Sequence, residues 1–279
     1  MCKAKEILMC EGLRCILEIT AWRMETPQMF GALHLALLSA AVCLPVFGVM
    51  RAKRLNIDRC VRLLTVCGWI LVILELYKQL FLFFVVHNGV YDWWYFPFQL
   101  CSVPMYLCIL LPLIVRSELL KSAVLNFLAS FTFVSAVAAL VYPEDFLRSY
   151  VTLTLHGFIW HGILLFISLT SALTGIAALT KQGFARSVVL FISLCFVAVC
   201  INIYAEPAMA AAHSAGLLSD QYAAMFYLNP YHLSPQLLIG TIQKSAGIPA
   251  GLALYIAVII AVSGCVHRFA AGYSLHSKR

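Results

Sequence analysis

Along this chain the apolar residues run together instead of alternating with polar ones. Seven stretches, at 28–50, 63–86, 96–115, 119–140, 152–178, 187–205 and 247–267, are almost free of charge. An apolar run of about 20 residues crosses the hydrocarbon core of a bilayer as a helix, and continuous runs choose helices over the alternating strands of a membrane barrel. The pattern predicts an all-α, polytopic bundle of about seven spans. It forms one transmembrane domain over 28–267, followed by a tail at 268–279.

Two segments depart from this rhythm. Residues 1–27 mix Ile7, Leu8, Cys15 and Ile16 with Lys3, Lys5, Glu11 and Arg14. They lack the basic region, short apolar run and small-residue cleavage site of a secretory leader, so they read as an amphipathic helix lying in the interface. Residues 206–246 contain AAMFYLNPYHLSPQLLIG, too proline-broken to span and too apolar for water. That segment is expected to form an outer lid or re-entrant segment.

Composition narrows the class. The chain is 63% hydrophobic and 11% charged, with a mean hydropathy of +0.93. An ordinary soluble domain carries about 25% charge, so a soluble globular domain is excluded. The net charge of +7 does not indicate nucleic acid, because the basic residues sit in short loops and form no patch with interleaved aromatics. They occupy alternate loops: Arg51, Lys53, Arg54, Arg59 and Arg62, then Arg116 and Lys121, then Lys181 and Arg186, then Arg268, Lys278 and Arg279. The intervening loops hold Asp92, then Glu144 and Asp145 with Arg148, then Glu206 and Asp220 with Lys244. Basic loops stay in the cytosol, which predicts a multi-pass cell-membrane protein with its N-terminus outside and its C-terminus inside. The aromatic stretch YDWWYFPF at 91–98 marks the outer interface.

Ionisable and polar groups within spans carry the candidate chemistry, since each is costly in lipid. Glu75 and Lys78, in ILELYKQLF, share one helix face and are able to neutralise each other. They are either a structural ion pair or site charges. His156 and His161 lie in LHGFIWHGILLF, five residues and thus about 140° apart on a helix. The third run, FPFQLCSVPMYLCILLP, is broken by Pro97, Pro104 and Pro112 and holds Gln99, Cys101 and Ser102. Asn202 closes the sixth run. At 1.5 Å per residue, Cys101, His156, His161, Lys78, Glu75 and Asn202 lie roughly 5–16 Å below the outer interface. His34 shares that half, and the inner halves are expected to hold no ionisable side chain apart from cysteine thiols. One-sided clustering on several helices points to a polar cavity open outward.

A thiol beside an imidazole is the minimal acyl-transfer unit, with Gln99, Asn202 or freed amides near Pro104 as oxyanion donors. Of the eleven cysteines, Cys43, Cys67, Cys101, Cys108, Cys195, Cys200 and Cys265 sit in apolar runs. No CxxC pair, metal-ligand spacing, G-x-S-x-G or Gly-rich phosphate loop is present. No metal and no cofactor is therefore expected. Membrane lipids are the expected partners, a homo-oligomer is allowed, and nucleic acid is excluded.

FPFQLCSVPMYL, the preceding ELYKQ, the following LHGFIWHGILLF and the later FYLNPYHLSPQLLIG resemble the YwaF-like integral membrane protein family over roughly residues 60–265. That family includes a eukaryotic transmembrane acyltransferase that moves acyl chains onto lyso-ether phospholipids. The resemblance implies a cysteine/histidine-dependent phospholipid acyltransferase or acyl hydrolase. Its cysteine falls on Cys101 and its histidine on His161, with His156 second. Glu75, Lys78, Gln99, Asn202, Asn229 and Tyr231 join as substrate-binding or supporting residues. The rival reading is a transporter or lipid-binding module that uses the same buried charges.

The loop alternation gives a direct test of topology. Reporter fusions after residues 55, 118 and 183 should report cytosol, and fusions after 90, 146 and 215 should report the outside. A cytosolic reading after 146 contradicts the orientation, because Glu144 and Asp145 anchor it.

Overall fold

The computed structural model describes residues 2–218 and 222–276, with side chains described outside 2–10, 237–238 and 274–276. Asp220, Lys278 and Arg279, and the side chains of Lys3, Lys5, Ile7 and Leu8, lie outside the described residues. Helices α1 (Cys2–Ile19), α2 (Ala32–Ala52), α3 (Ile57–Phe81), α4 (Val103–Ile114) and α5 (Glu118–Val141) come first. They are followed by α6 (Val151–Leu173), α7 (Lys181–Ser214), α8 (Leu237–Ala246) and α9 (Ile248–His276). Among the described residues, six helices are long and apolar enough to cross a membrane, and α4 is a shorter apolar seventh. The fold is a polytopic helical bundle.

Burial separates the centre from the rim. In α5 and α6, 61% and 67% of the most apolar window is buried, against 17–28% in the other four long helices. α5 and α6 pack on each other, with α2 and α3 against α6 and α7 and α9 against α5. The rim helices keep one face for lipid, as Leu44 on α2, Ile73 on α3 and Phe196 on α7 show by their exposure. Helix starts are set locally: Asn56, Ser117 and Thr180 each accept a backbone N–H from the first turn of α3, α5 and α7.

Three departures from the sequence pattern matter for the site. The third apolar run is not helical from 96: a 3₁₀ turn at Trp93–Tyr95 and irregular backbone precede α4, which begins only at Val103. Proline has no N–H to give, so Pro104 sits in the helix's first turn, where none is required, and the twelve-residue α4 is about 18 Å long. Second, α7 does not end at 205 but continues through Pro207 to Ser214, carried by the Ala-rich stretch after the proline. The irregular part of the expected lid therefore starts at about 215 and ends in α8. Third, α9 runs past 267, so His267 is interior to a helix. It is buried, with Nε2 2.8 Å from Asn126 Oδ1. The expectation that the inner halves lack ionisable groups fails at this residue.

α1 lays Leu13 and Leu17 against Phe81, Leu82 and Leu153. The extended segment after it is tied to the α5–α6 loop: Met24 N–H donates to Ser149 O and Val151 N–H to Trp22 O, both at 2.9 Å.

α3 and α4 approach closely where α3 carries glycine. A Cβ at Gly68 would lie 2.9 Å from both Cys108 Cβ and Ile109 N. Small residues let membrane helices come together, so Gly68→Val should lower thermal stability by about 1–3 kcal/mol. Gly272→Ala in α9, with nothing within 4 Å, should be neutral or slightly stabilising. Equal melting midpoints for Gly68→Val and wild type in detergent would contradict the packing.

Candidate functional site

The site begins on α3, where Glu75, Lys78 and Gln79 stand at i, i+3 and i+4 and so share a face. Glu75 is buried; its Oε1 lies 2.9 Å from Lys78 Nζ and accepts from Gln79 Nε2 at 2.7 Å. Gln79 Nε2 also donates to Tyr95 O at 2.5 Å. The second oxygen, Glu75 Oε2, is buried with no hydrogen-bond partner among the described residues. An ionised carboxylate in a low-dielectric interior holds its charge only when paired, and Lys78 supplies the pairing.

Lys78 connects this pair to α6. Its Nζ stands 5.9 Å from the centre of the Trp160 ring, within cation–π range. Trp160 is buried, stacks on His156 at 5.6 Å, and donates from Nε1 to Cys101 O at 3.2 Å. That carbonyl is available because α4 begins two residues later. Cys101 thus occupies the turn before α4, half-buried, at the N-terminal end of that helix. Cys101, His156 and His161 all feel the Lys78 charge.

The two histidines differ in tautomer. His161 Nδ1 is 2.8 Å from Gly157 O, and a carbonyl only accepts, so in the neutral ring Nδ1 carries the proton and Nε2 keeps its lone pair. The ring lies flat on Phe146, centroids 4.9 Å apart. Gly157 makes that stack feasible, since any Cβ there would collide with the Phe146 ring. His156 is the mirror case: Nε2 faces Leu74 O at 3.2 Å and donates, leaving Nδ1 as the basic atom. His161 Nε2 is the freer base, because His156 is held between α3 and Trp160. His34 is structural, capping its own helix through Phe30 N–H and reaching Leu140 O at 3.1 Å.

The expected amide donors are engaged elsewhere. Gln99 Nε2 donates to Ala224 O at 3.2 Å and its Oε1 accepts from Phe226 N–H at 2.9 Å. Asn202 brackets Met225 in the same way, at 3.2 and 2.7 Å. Both fasten the segment after α7. Asn229 is buried and folds that segment on itself, accepting from Tyr231 and His232 N–H and donating to Ala223 O. Tyr231 is exposed.

A small pocket lined by Gln79, Leu82, Phe83, His87, Tyr91, Asp92 and Tyr95 lies where α3 ends in a π-helical turn at Leu82–Val86. Burial lowers the pKa of His87 and raises that of Asp92, so both are biased toward their neutral forms. Hydrogen bonds link this pocket through Tyr95 O and Gln79 to the Glu75–Lys78 pair, a cation–π contact carries on to Trp160, and Trp160 ends on the Cys101 backbone carbonyl. Sequence reasoning missed Trp160 as part of the site. Trp160 had a legible signal, a donor that must be satisfied in a span between two histidines.

The family model of the TMEM164 family matches residues 26–243, most of the chain. No curated protein and no solved structure matches it.

The pairing of Glu75 makes a stability prediction. Lys78→Met leaves a buried carboxylate uncompensated and should lower the melting midpoint in detergent by the equivalent of a few kcal/mol. The Glu75→Gln/Lys78→Met double variant should recover much of that loss. A double variant as unstable as Lys78→Met would show that the uncompensated charge is not the cause.

Proposed function

We propose that this chain, which belongs to the TMEM164 family, is a membrane-embedded acyltransferase or acyl hydrolase that attacks phospholipid esters with the Cys101 thiol. In this reading the Cys101 end of the bundle faces the outer leaflet, as the loop charges favour. The observation that carries it is the polar chain ending at Cys101: Glu75, Lys78 and Trp160 make a costly buried arrangement whose last hydrogen bond is to the backbone of a cysteine. A purely structural ion pair needs no such terminus. The resemblance of FPFQLCSVPMYL and LHGFIWHGILLF to the YwaF-like integral membrane protein family, which includes a eukaryotic acyltransferase, supports the same pair of residues.

The chemistry follows from the groups present. His161 Nε2 takes the Cys101 proton and the thiolate attacks the ester carbonyl carbon. Collapse of the tetrahedral intermediate breaks the carbon–oxygen bond, and the imidazolium returns its proton to the departing lyso-lipid oxygen. An incoming lyso-lipid hydroxyl, or water, then attacks the thioester carbonyl as the imidazole removes its proton. The thiolate leaves and recovers that proton. With the Gln99 and Asn202 amides held by the lid, Val103 N–H donating to Gln99 O, Met105 N–H donating to Ser102 O and Pro104 without an N–H, the Lys78 ammonium is the donor this reading assigns to the oxyanion.

Incubation of purified protein with acyl-labelled phospholipid should leave label on the protein that neutral hydroxylamine releases, as for a thioester. Cys101→Ala should abolish label and transfer together, and His161→Ala should slow labelling without preventing lipid binding. Cys108, fully buried against α3, is the internal control, and Cys108→Ala should retain label. Full activity in Cys101→Ala would overturn this reading in favour of the transporter or lipid-binding module.

A further inference from the structure

The turn Met225–Tyr227 is held in a conformation that its own residues disfavour. Phe226 and Tyr227 have φ of 54° and 57°, in the left-handed region, where a bulky side chain crowds its own backbone. Neither is glycine, asparagine or aspartate. Such strain persists only where the surroundings over-determine the conformation. Here three separate elements do so. Gln99, in the turn before α4, accepts from Phe226 N–H; Asn202 of α7 binds both N–H and C=O of Met225. Tyr227 Oη donates to Asp145 Oδ2, in the α5–α6 loop, at 2.6 Å.

The turn packs on the backbone that flanks the thiol. Phe226 is buried with Leu100 and Val103, the residues on either side of Cys101 and Ser102, and its ring lies 5.8 Å from Phe98 and 6.1 Å from Phe191. The Gln99 and Asn202 bonds are inside the bundle, but the Tyr227–Asp145 bond is at the exposed edge of the turn, where water competes for it.

We propose that Met225–Tyr227 is a strained latch closing the approach to Cys101, with the Tyr227–Asp145 hydrogen bond as its release point. When that bond opens, the backbone is free to leave the left-handed region, Phe226 withdraws from between Phe98 and Phe191, and a lipid ester gains a way in. The proposal builds on Cys101 as the reacting thiol. Its test reads access to the thiol and not turnover, so either idea is able to fail while the other stands.

The test uses full-length protein in lipid nanodiscs, exposed to N-ethylmaleimide, with labelling of the Cys101 and Cys108 peptides followed by mass spectrometry. Tyr227→Phe should label at Cys101 about tenfold faster than wild type, in line with loss of one hydrogen bond to a charged acceptor. Asp145→Ala should match it, and the double variant should be no faster than either single, since all three remove the same bond. Cys108 labelling should not change. Unaltered Cys101 rates in both single variants, additive effects in the double variant, or Cys108 labelling rising in step with Cys101 would each overturn the latch.

Discussion

Hydrocarbon offers no hydrogen bond and almost no screening, so a carboxylate set within a membrane helix must be answered by the protein itself. Glu75 imposes that constraint here, and much of the surrounding arrangement reads as its consequence. Lys78 neutralises it, Gln79 occupies the same oxygen and draws in Tyr95 O, and the ammonium rests over Trp160. Trp160 in turn reaches the carbonyl of Cys101. Three elements, α3, α6 and the turn before α4, are tied together by groups that a merely stable bundle would replace with leucine. Hydrophobic residues of similar volume often serve stability as well as a buried ion pair does, so retaining the pair argues for chemistry.

The bundle itself was legible in the sequence because apolar runs of spanning length leave few alternatives. The Glu75–Lys78 contact was equally legible, since helical spacing fixes neighbours at i and i+3. Other features were not. The run 96–115 satisfies a length criterion, yet Pro104 fits only in a first helical turn, so the backbone around Cys101 is free of the helix and offers its carbonyl to Trp160. Glu206 and Pro207 read as the end of a span, but the Ala-rich continuation keeps α7 helical to Ser214. The roles of Gln99 and Asn202 depend on contacts with residues 224–226, from distant parts of the chain, and no local pattern reveals them. His267 stands at the end of its apolar run, where the sequence does not mark it as interior; inside α9 it needs a partner and finds Asn126.

The two halves of the account meet at Cys101. From one side comes a polar chain that ends on its backbone carbonyl, beside a histidine, His161, whose Nε2 keeps its lone pair because Nδ1 donates to Gly157 O. From the other comes a turn of two bulky residues in the left-handed region, fastened by amides whose obvious alternative use was oxyanion binding. The proposed acyl transfer would need both, a nucleophile and protection of its thioester from water until the acceptor arrives.

The central claim is that Cys101 acts on phospholipid, and the lipid acyl profile of cells tests it most directly. Matched cells would carry wild-type protein, Cys101→Ala or Cys108→Ala at equal membrane levels. The account predicts a redistribution of phospholipid acyl chains with wild type and Cys108→Ala that is absent with Cys101→Ala. A profile in Cys101→Ala cells indistinguishable from a shifted wild-type profile would contradict it.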